Sequence, residues 1–300
     1  SDTTLNLWFV LMHYLGGLFC YLLCRDLECS RMASVLGGLI FAVSGFVGNV
    51  DWPQVLTGSI WAPLVFLFLF RAGRGEQAAA SAALSGMFLG LAWLSGHHEV
   101  PVYISYAAGF TWLYFISRDR RVAGWAALAF SVAALTAAFQ VIPGYEYGQL
   151  AIRWVGVENP VGWKAPIPYL VHEQYSIDPR SVLGIVLPAI FKDVNPFIGL
   201  IGFTMAALAV AKRWDLQAVR WLTCLAFGAL LMAMAPANPL HGLLYVAAPV
   251  FGKARVPARM LVIFSFAAAP LAALGLDYLR DQAGDPWLRK AAARRRRRAW

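Results

Sequence analysis

Apolar residues in this chain come in long uninterrupted blocks, at positions 5–24, 32–50, 56–70, 78–96, 101–117, 122–142, 197–211, 221–235 and 260–279. Most approach the ~20 residues with which an α-helix crosses a hydrocarbon core about 30 Å thick. None shows the strict alternation of a membrane β-strand, and backbone groups in lipid must be paired within their own segment or in a closed barrel. The pattern therefore predicts an all-α fold: a polytopic transmembrane helical bundle of about nine spans, covering residues 1–280. Two longer connections interrupt it. One, 143–196, is polar and follows Pro143. The other, 236–259, holds an apolar stretch at 240–251 broken by Gly242 and Pro249, which reads as re-entrant or interfacial. A basic tail occupies 281–300.

Charge fixes an orientation for this bundle. Arg25, Arg31, Arg71, Arg74, Arg118, Arg120, Arg121, Lys212, Arg213 and Arg220 all fall in one alternate set of loops, while the two short loops of the other set carry no Lys or Arg. The positive-inside rule then puts the start of the chain and the 143–196 and 236–259 connections outside, and the tail on the cytoplasmic side. Arg153, Lys164, Arg180 and Lys192 do not contradict this, because long translocated loops escape the rule. With 60% hydrophobic and only 14% charged residues, a bilayer is the expected solvent. The net charge of +9 then reports topology, not a nucleic-acid partner, and the basic run at 294–298 reads as a solvated tail drawn to anionic membrane lipids. Cys20, Cys24, Cys29 and Cys224 lack metal-ligand spacing and predict neither a disulfide nor a metal cluster. The opening Ser1-Asp2 reads as a fragment or a processed chain.

Ionisable groups near membrane depth are costly, which makes them functional candidates by default. Nearly all collect on the outward side: Asp51, His97-His98-Glu99, Gln140, Tyr145, Glu146, Arg153, Glu158, Lys253, Arg255 and Arg259. Glu146 and Arg153 are seven apart, so a helix running past Pro143 would stack them on one face, the carboxylate as a general base and the guanidinium as a phosphate clamp. The plainer alternative is an interfacial ion pair anchoring the loop. Arg255 and Arg259 flank Pro257 at i, i+4. If Pro257 begins a helix, both project from its first turn, where anions are favoured. Snorkelling to headgroups is the competing account. Adjacent His97 and His98 make a poor chelate, so a divalent metal has no support and no cofactor signature is evident. Contact of His97 or Glu99 with a sugar hydroxyl or phosphate competes with a simple helix-end hydrogen bond.

Four stretches carry a resemblance: the opening TLNLWFVLMHYLGGLFCYLLCRDLECSRMASVLGGLIFAVSGFVG, the break LSGHHEV, the segment AAFQVIPGYEYGQLAIR, and FGKARVPARMLVIFSFAAAPLAALGLDYL. Their order resembles the YfhO-like family of bacterial membrane proteins, relatives of the GT-C glycosyltransferases. The chain departs from that pattern in having Gly96-His97-His98-Glu99 where Gly-His-Pro-Gln is usual. The resemblance also implies an additional N-terminal span, a first outward loop bearing the main catalytic acid, and further spans after Leu279, none of them in this chain. It implies a GT-C-like fold and transfer of a sugar from a polyprenyl-phosphate carrier to an extracytoplasmic glycan or polymer acceptor. On that reading Arg255 and Arg259 hold phosphate, with Arg153, His97, His98, Gln140 and Tyr145 shaping the site. Glu146, Asp51 and Glu99 are the carboxylates available as a base.

Two rivals stand beside this expectation. A transporter or flippase of a lipid-linked substrate would need paired broken helices, which are not evident. A non-catalytic scaffold would scatter Glu146, Arg153, Arg255 and Arg259 over separate surfaces.

Overall fold

The computed structural model describes residues 2–156, 158–188 and 195–284. Lys192 and the basic run at 294–298 lie outside the described residues. The chain folds as α1 (Asp2–Asp26), α2 (Arg31–Ala42), α3 (Pro53–Ser59), α4 (Ala62–Gly73), α5 (Ala78–Trp93), α6 (Glu99–Arg118), α7 (Val122–Leu150), α8 (Tyr169–His172), α9 (Gly199–Lys212), α10 (Gln217–Ala233), α11 (Pro239–Ala247) and α12 (Leu261–Gln282). Among the described residues no strand forms, only one antiparallel bridge between Arg153 and Val161.

Helices fall where the apolar blocks predict them, with three differences in extent. The second block stops being helix at Ala42, because the Gly45 N–H turns away to the Phe197 carbonyl (2.6 Å). The third starts early, at Pro53, and breaks at Ile60–Trp61. Pro63 opens α4 there, and its missing N–H cannot continue the α3 ladder. The sixth runs through Pro143 to Leu150. Among the described residues four helical stretches are long and apolar enough to cross a membrane: Asp2–Asp26, Pro53–Gly73, Val122–Leu150 and Pro257–Gln282. Arg31–Ala42, Ala78–Trp93, Gly199–Lys212 and Gln217–Ala233 are apolar but shorter.

The organising element is α12. It packs against α9, α10 and α2, and touches α1, α4 and α6 as well. Every residue from Leu261 to Gly275 is buried. Small residues let the helices approach closely. A Cβ on Gly275 would run into the Met205 carbonyl of α9, and one on Gly86 of α5 into the Ala129 carbonyl of α7. By contrast α1 buries only Gly16, Cys20, Leu23, Cys24 and Asp26, and turns Leu7, Val10, Leu11 and Tyr14 outward.

At the end of the bundle rich in arginine, the loop charges are tied down. Buried Asp26 accepts from Arg71 Nε (2.5 Å) and from an Arg74 terminal nitrogen (2.6 Å), and Arg213 meets Asp281 at 2.9 Å. The Asp277 carboxylate accepts from the Ser30 N–H at 2.9 Å, and Arg280 donates to the Ser30 hydroxyl at 2.7 Å. These arginines are thus structural clamps.

At the opposite end, the two long connections meet in a cap. Segment 163–177 carries α8, and segment 239–254 carries α11. The Ile167 N–H donates to the Gly252 carbonyl (2.9 Å) and the Tyr245 hydroxyl to the Ile167 carbonyl (2.5 Å). The nine residues of α11 fall well short of a span. Leu240, Leu243 and Val246 face outward, and His241 is fully buried.

Candidate functional site

The centre of the capped end is an ion pair. Glu99 opens α6 and is 3% exposed. Its Oε2 meets Arg259, and its Oε1 accepts the Arg255 N–H at 2.9 Å. Pro257 begins a short 3-10 turn running to Met260, from which α12 continues, so Arg259 stands at the head of the immobilised central helix. Arg259 also donates to His97 Nε2 at 2.8 Å, and because a guanidinium can only donate, it fixes Nε2 as the acceptor. Burial and the neighbouring Arg259 push the His97 pKa down to about 4, so the ring is neutral at pH 7. Burial raises the Glu99 carboxyl, but Arg259 and the Arg255 N–H outweigh it and hold the group below its ordinary value. His98 lies flat on His97, with centroids 5.5 Å apart, and burial lowers its pKa too.

A cavity of about 650 Å³ opens on one side of this cluster. Asp51, Trp52, Tyr175, Asp178, Arg255 and Arg259 line it. Both arginines rest on aromatic faces, Arg255 over Tyr175 (5.2 Å) and Arg259 over Trp52 (5.3 Å). Stacking of this kind holds a guanidinium in place and leaves its edge free to donate. Arg259 shares its charge with Glu99, whereas among the described residues no carboxylate pairs with Arg255 within 4.0 Å. Asp51 is exposed to the cavity and likewise pairs with no described cation.

A second cavity of about 390 Å³ opens on the other side, lined by His98, Gln140, Tyr145, Arg153, Trp163 and Lys253. Gln140, with its amide turned to satisfy both neighbours, bridges the Leu94 carbonyl (3.0 Å) and the Gly96 N–H (3.2 Å). Arg153 donates to the Lys253 carbonyl at 3.3 Å, and the Lys253 ammonium sits over the Trp163 ring at 4.6 Å. Burial lowers the pKa of both cations, with repulsion by Arg255 adding to it at Arg153 and by Arg153 at Lys253. Through Trp93 and Val250 this cavity adjoins an apolar groove of about 560 Å³ between α6 and α7, where Phe110, Leu113 and Phe130 lie.

The predicted residues thus gather at one end but divide between two chambers. Asp51, Arg255 and Arg259 share the first; His98, Gln140, Tyr145 and Arg153 share the second; His97 and Glu99 form the partition. Glu146 lines neither and is exposed. The stacked Glu146–Arg153 pair does not form, because α7 ends at Leu150 and Arg153 bridges to Val161 in extended backbone. Arg255 and Arg259 do not share a helical turn either, since Arg255 precedes Pro257 and its N–H is taken by Glu99. Trp52, Tyr175 and Trp163 are the additions, and only their pairing with distant partners makes them visible. Among the described residues no group of three or more His, Cys, Asp or Glu is placed to hold a metal ion. No protein-family model matches the chain, and neither a curated protein nor a solved structure matches it.

Proposed function

We propose that this chain is the membrane core of a GT-C-like glycosyltransferase that moves a sugar from a polyprenyl-phosphate carrier to an extracytoplasmic glycan or polymer. The observation that carries the reading is the shared cavity of Asp51, Arg255 and Arg259. Its volume falls within the range that suits small-ligand sites. Asp51, an unpaired carboxylate, takes the proton of the acceptor hydroxyl. The hydroxyl oxygen then attacks the anomeric carbon, the bond from that carbon to the carrier phosphate breaks, and the departing phosphate carries its charge onto Arg255 and Arg259. The proposal includes about nine spans in the inner membrane of a bacterium, with the capped end and the start of the chain outside, as the loop charges indicate.

The test is turnover of a polyprenyl-phosphate hexose, radiolabelled in the sugar, by the chain reconstituted in liposomes. Asp51→Asn should lower release of label from the lipid by about 10²- to 10⁴-fold while donor binding persists, the usual range for loss of a general base. Arg255→Gln should weaken donor retention. Unchanged turnover in both variants refutes the assignment, and passage of the intact donor across the bilayer replaces it with a flippase.

A further inference from the structure

The cap contains a buried pair of histidines that the transfer chemistry does not use. His172 ends α8 and His241 lies in α11, both 0% exposed, with ring centroids 5.0 Å apart. Tyr245 and Phe251 pack on the His172 ring at 5.0 and 5.5 Å, and Phe251 also meets His241 at 5.2 Å. His172 Nδ1–H donates to the Ala254 carbonyl at 2.6 Å, which leaves Nε2 as a lone-pair acceptor. His241 Nδ1 lies 3.3 Å from the Tyr169 hydroxyl. Neither buried Nε2 has a partner.

That geometry suits two neutral rings and penalises charged ones, because an imidazolium must donate from both nitrogens. Among the described residues no carboxylate hydrogen-bonds or ion-pairs with either ring. Lys253 and Arg255 flank the pair from the 251–255 turn. Glu173 follows α8 beside Tyr169, which is itself neutral, as is Tyr245 of α11. From α6, Tyr103 and Tyr106 pack on Phe251 and donate their hydroxyls to the Val256 and Pro249 carbonyls, and Glu99 is already engaged by Arg259 and the Arg255 N–H. Cap and chambers are mechanically joined. Trp163 walls the second chamber, Tyr175 walls the first, and the Ala254 carbonyl held by His172 immediately precedes Arg255.

We propose that the His172–His241 pair is an acid-released latch: neutral, it fastens segment 163–177 to segment 239–254 over both chambers, and protonated, it lets the cap lift. The inference stands on the cap alone and survives failure of the transferase reading, since its readout requires no activity.

The experiment is amide hydrogen exchange of the reconstituted chain between pH 8 and pH 5, corrected for the intrinsic pH dependence, with α12 peptides as the internal reference. A histidine titrating near 6.5 in the lifted cap and near 4 in the closed one makes the opening equilibrium of 163–177 and 239–254 rise about 30-fold over that interval. The double variant His172→Phe/His241→Phe, which keeps aromatic packing but cannot take a proton, should flatten the rise. Should that variant fail to fold, His241→Gln alone should shrink it. A pH-independent opening ratio in the wild-type chain overturns the latch, as does a full rise persisting in a folded variant.

Discussion

Removing either partner of the Glu99–Arg259 pair should destabilise the protein more than removing both. Glu99 is 3% exposed and the Arg259 side chain 14%, so each charge is largely cut off from water. Glu99→Met leaves Arg259 without its carboxylate and the Arg255 N–H without an acceptor, and breaking a buried pair in this way costs about 3 to 5 kcal/mol. Arg259→Met strands the carboxylate and should cost a similar amount. In the double variant the uncompensated charges are gone and only the Arg255 N–H and His97 Nε2 lack partners, so its cost should fall to about 2 kcal/mol, the scale of orphaned neutral hydrogen-bonding groups. The measurement is unfolding free energy in mixed micelles followed by tryptophan fluorescence, arranged as a double-mutant cycle. Single variants within about 1 kcal/mol of wild type, or a double variant whose cost equals the sum of the singles, would refute the reasoning. The pH dependence has a definite sign. The Glu99 carboxyl is held below its ordinary value of 4.5, so its stabilisation is complete above that value and disappears as pH falls through the lowered one.

The same measurement applied to Asp26→Asn should show a loss of about 3 kcal/mol, since the Arg74 side chain is 5% exposed and loses a charged acceptor at 2.6 Å. Wild-type stability there would mean that Glu76, which also bonds Arg74, suffices alone. Gly275→Leu should prevent recovery of folded monomer after detergent extraction, because the new side chain has to occupy the space of the Met205 carbonyl. A folded variant, seen as an unchanged elution volume and unfolding midpoint, would show that α9 can shift aside.

The helical architecture was legible because unbroken apolar blocks leave backbone groups only one local way to pair, and each block does contain a helix. Helix extents were less so. Gly45 leaves its helix for the carbonyl of Phe197, and no local pattern predicts so distant a partner. Pro143, read as the end of a block, is tolerated seven residues before the end of α7, at the loss of one hydrogen bond. At the site, polarity amid apolar surroundings singled out Asp51, Arg255 and Arg259, which line one cavity, and His97 and Glu99, which both contact Arg259. Spacing misled at Glu146 and Arg153, since helical periodicity applies only while the helix lasts. His172 and His241 lie 69 positions apart in ordinary-looking loops, and their burial arises only when the two connections dock.

The contrast between α12 and α1 bears on how freely each can change. A helix with one buried stripe leaves its outward positions to drift among apolar residues of any size, and α1 has only five fully buried positions. Along α12 the commitment is continuous from Leu261 to Gly275, so no face is available to absorb a larger side chain. Substitutions there would lack the rise and fall of tolerance every three to four residues that marks an ordinary helix. The turn carrying Arg259 is attached directly to this segment, so the position of its guanidinium is tied to a continuously buried part of the chain.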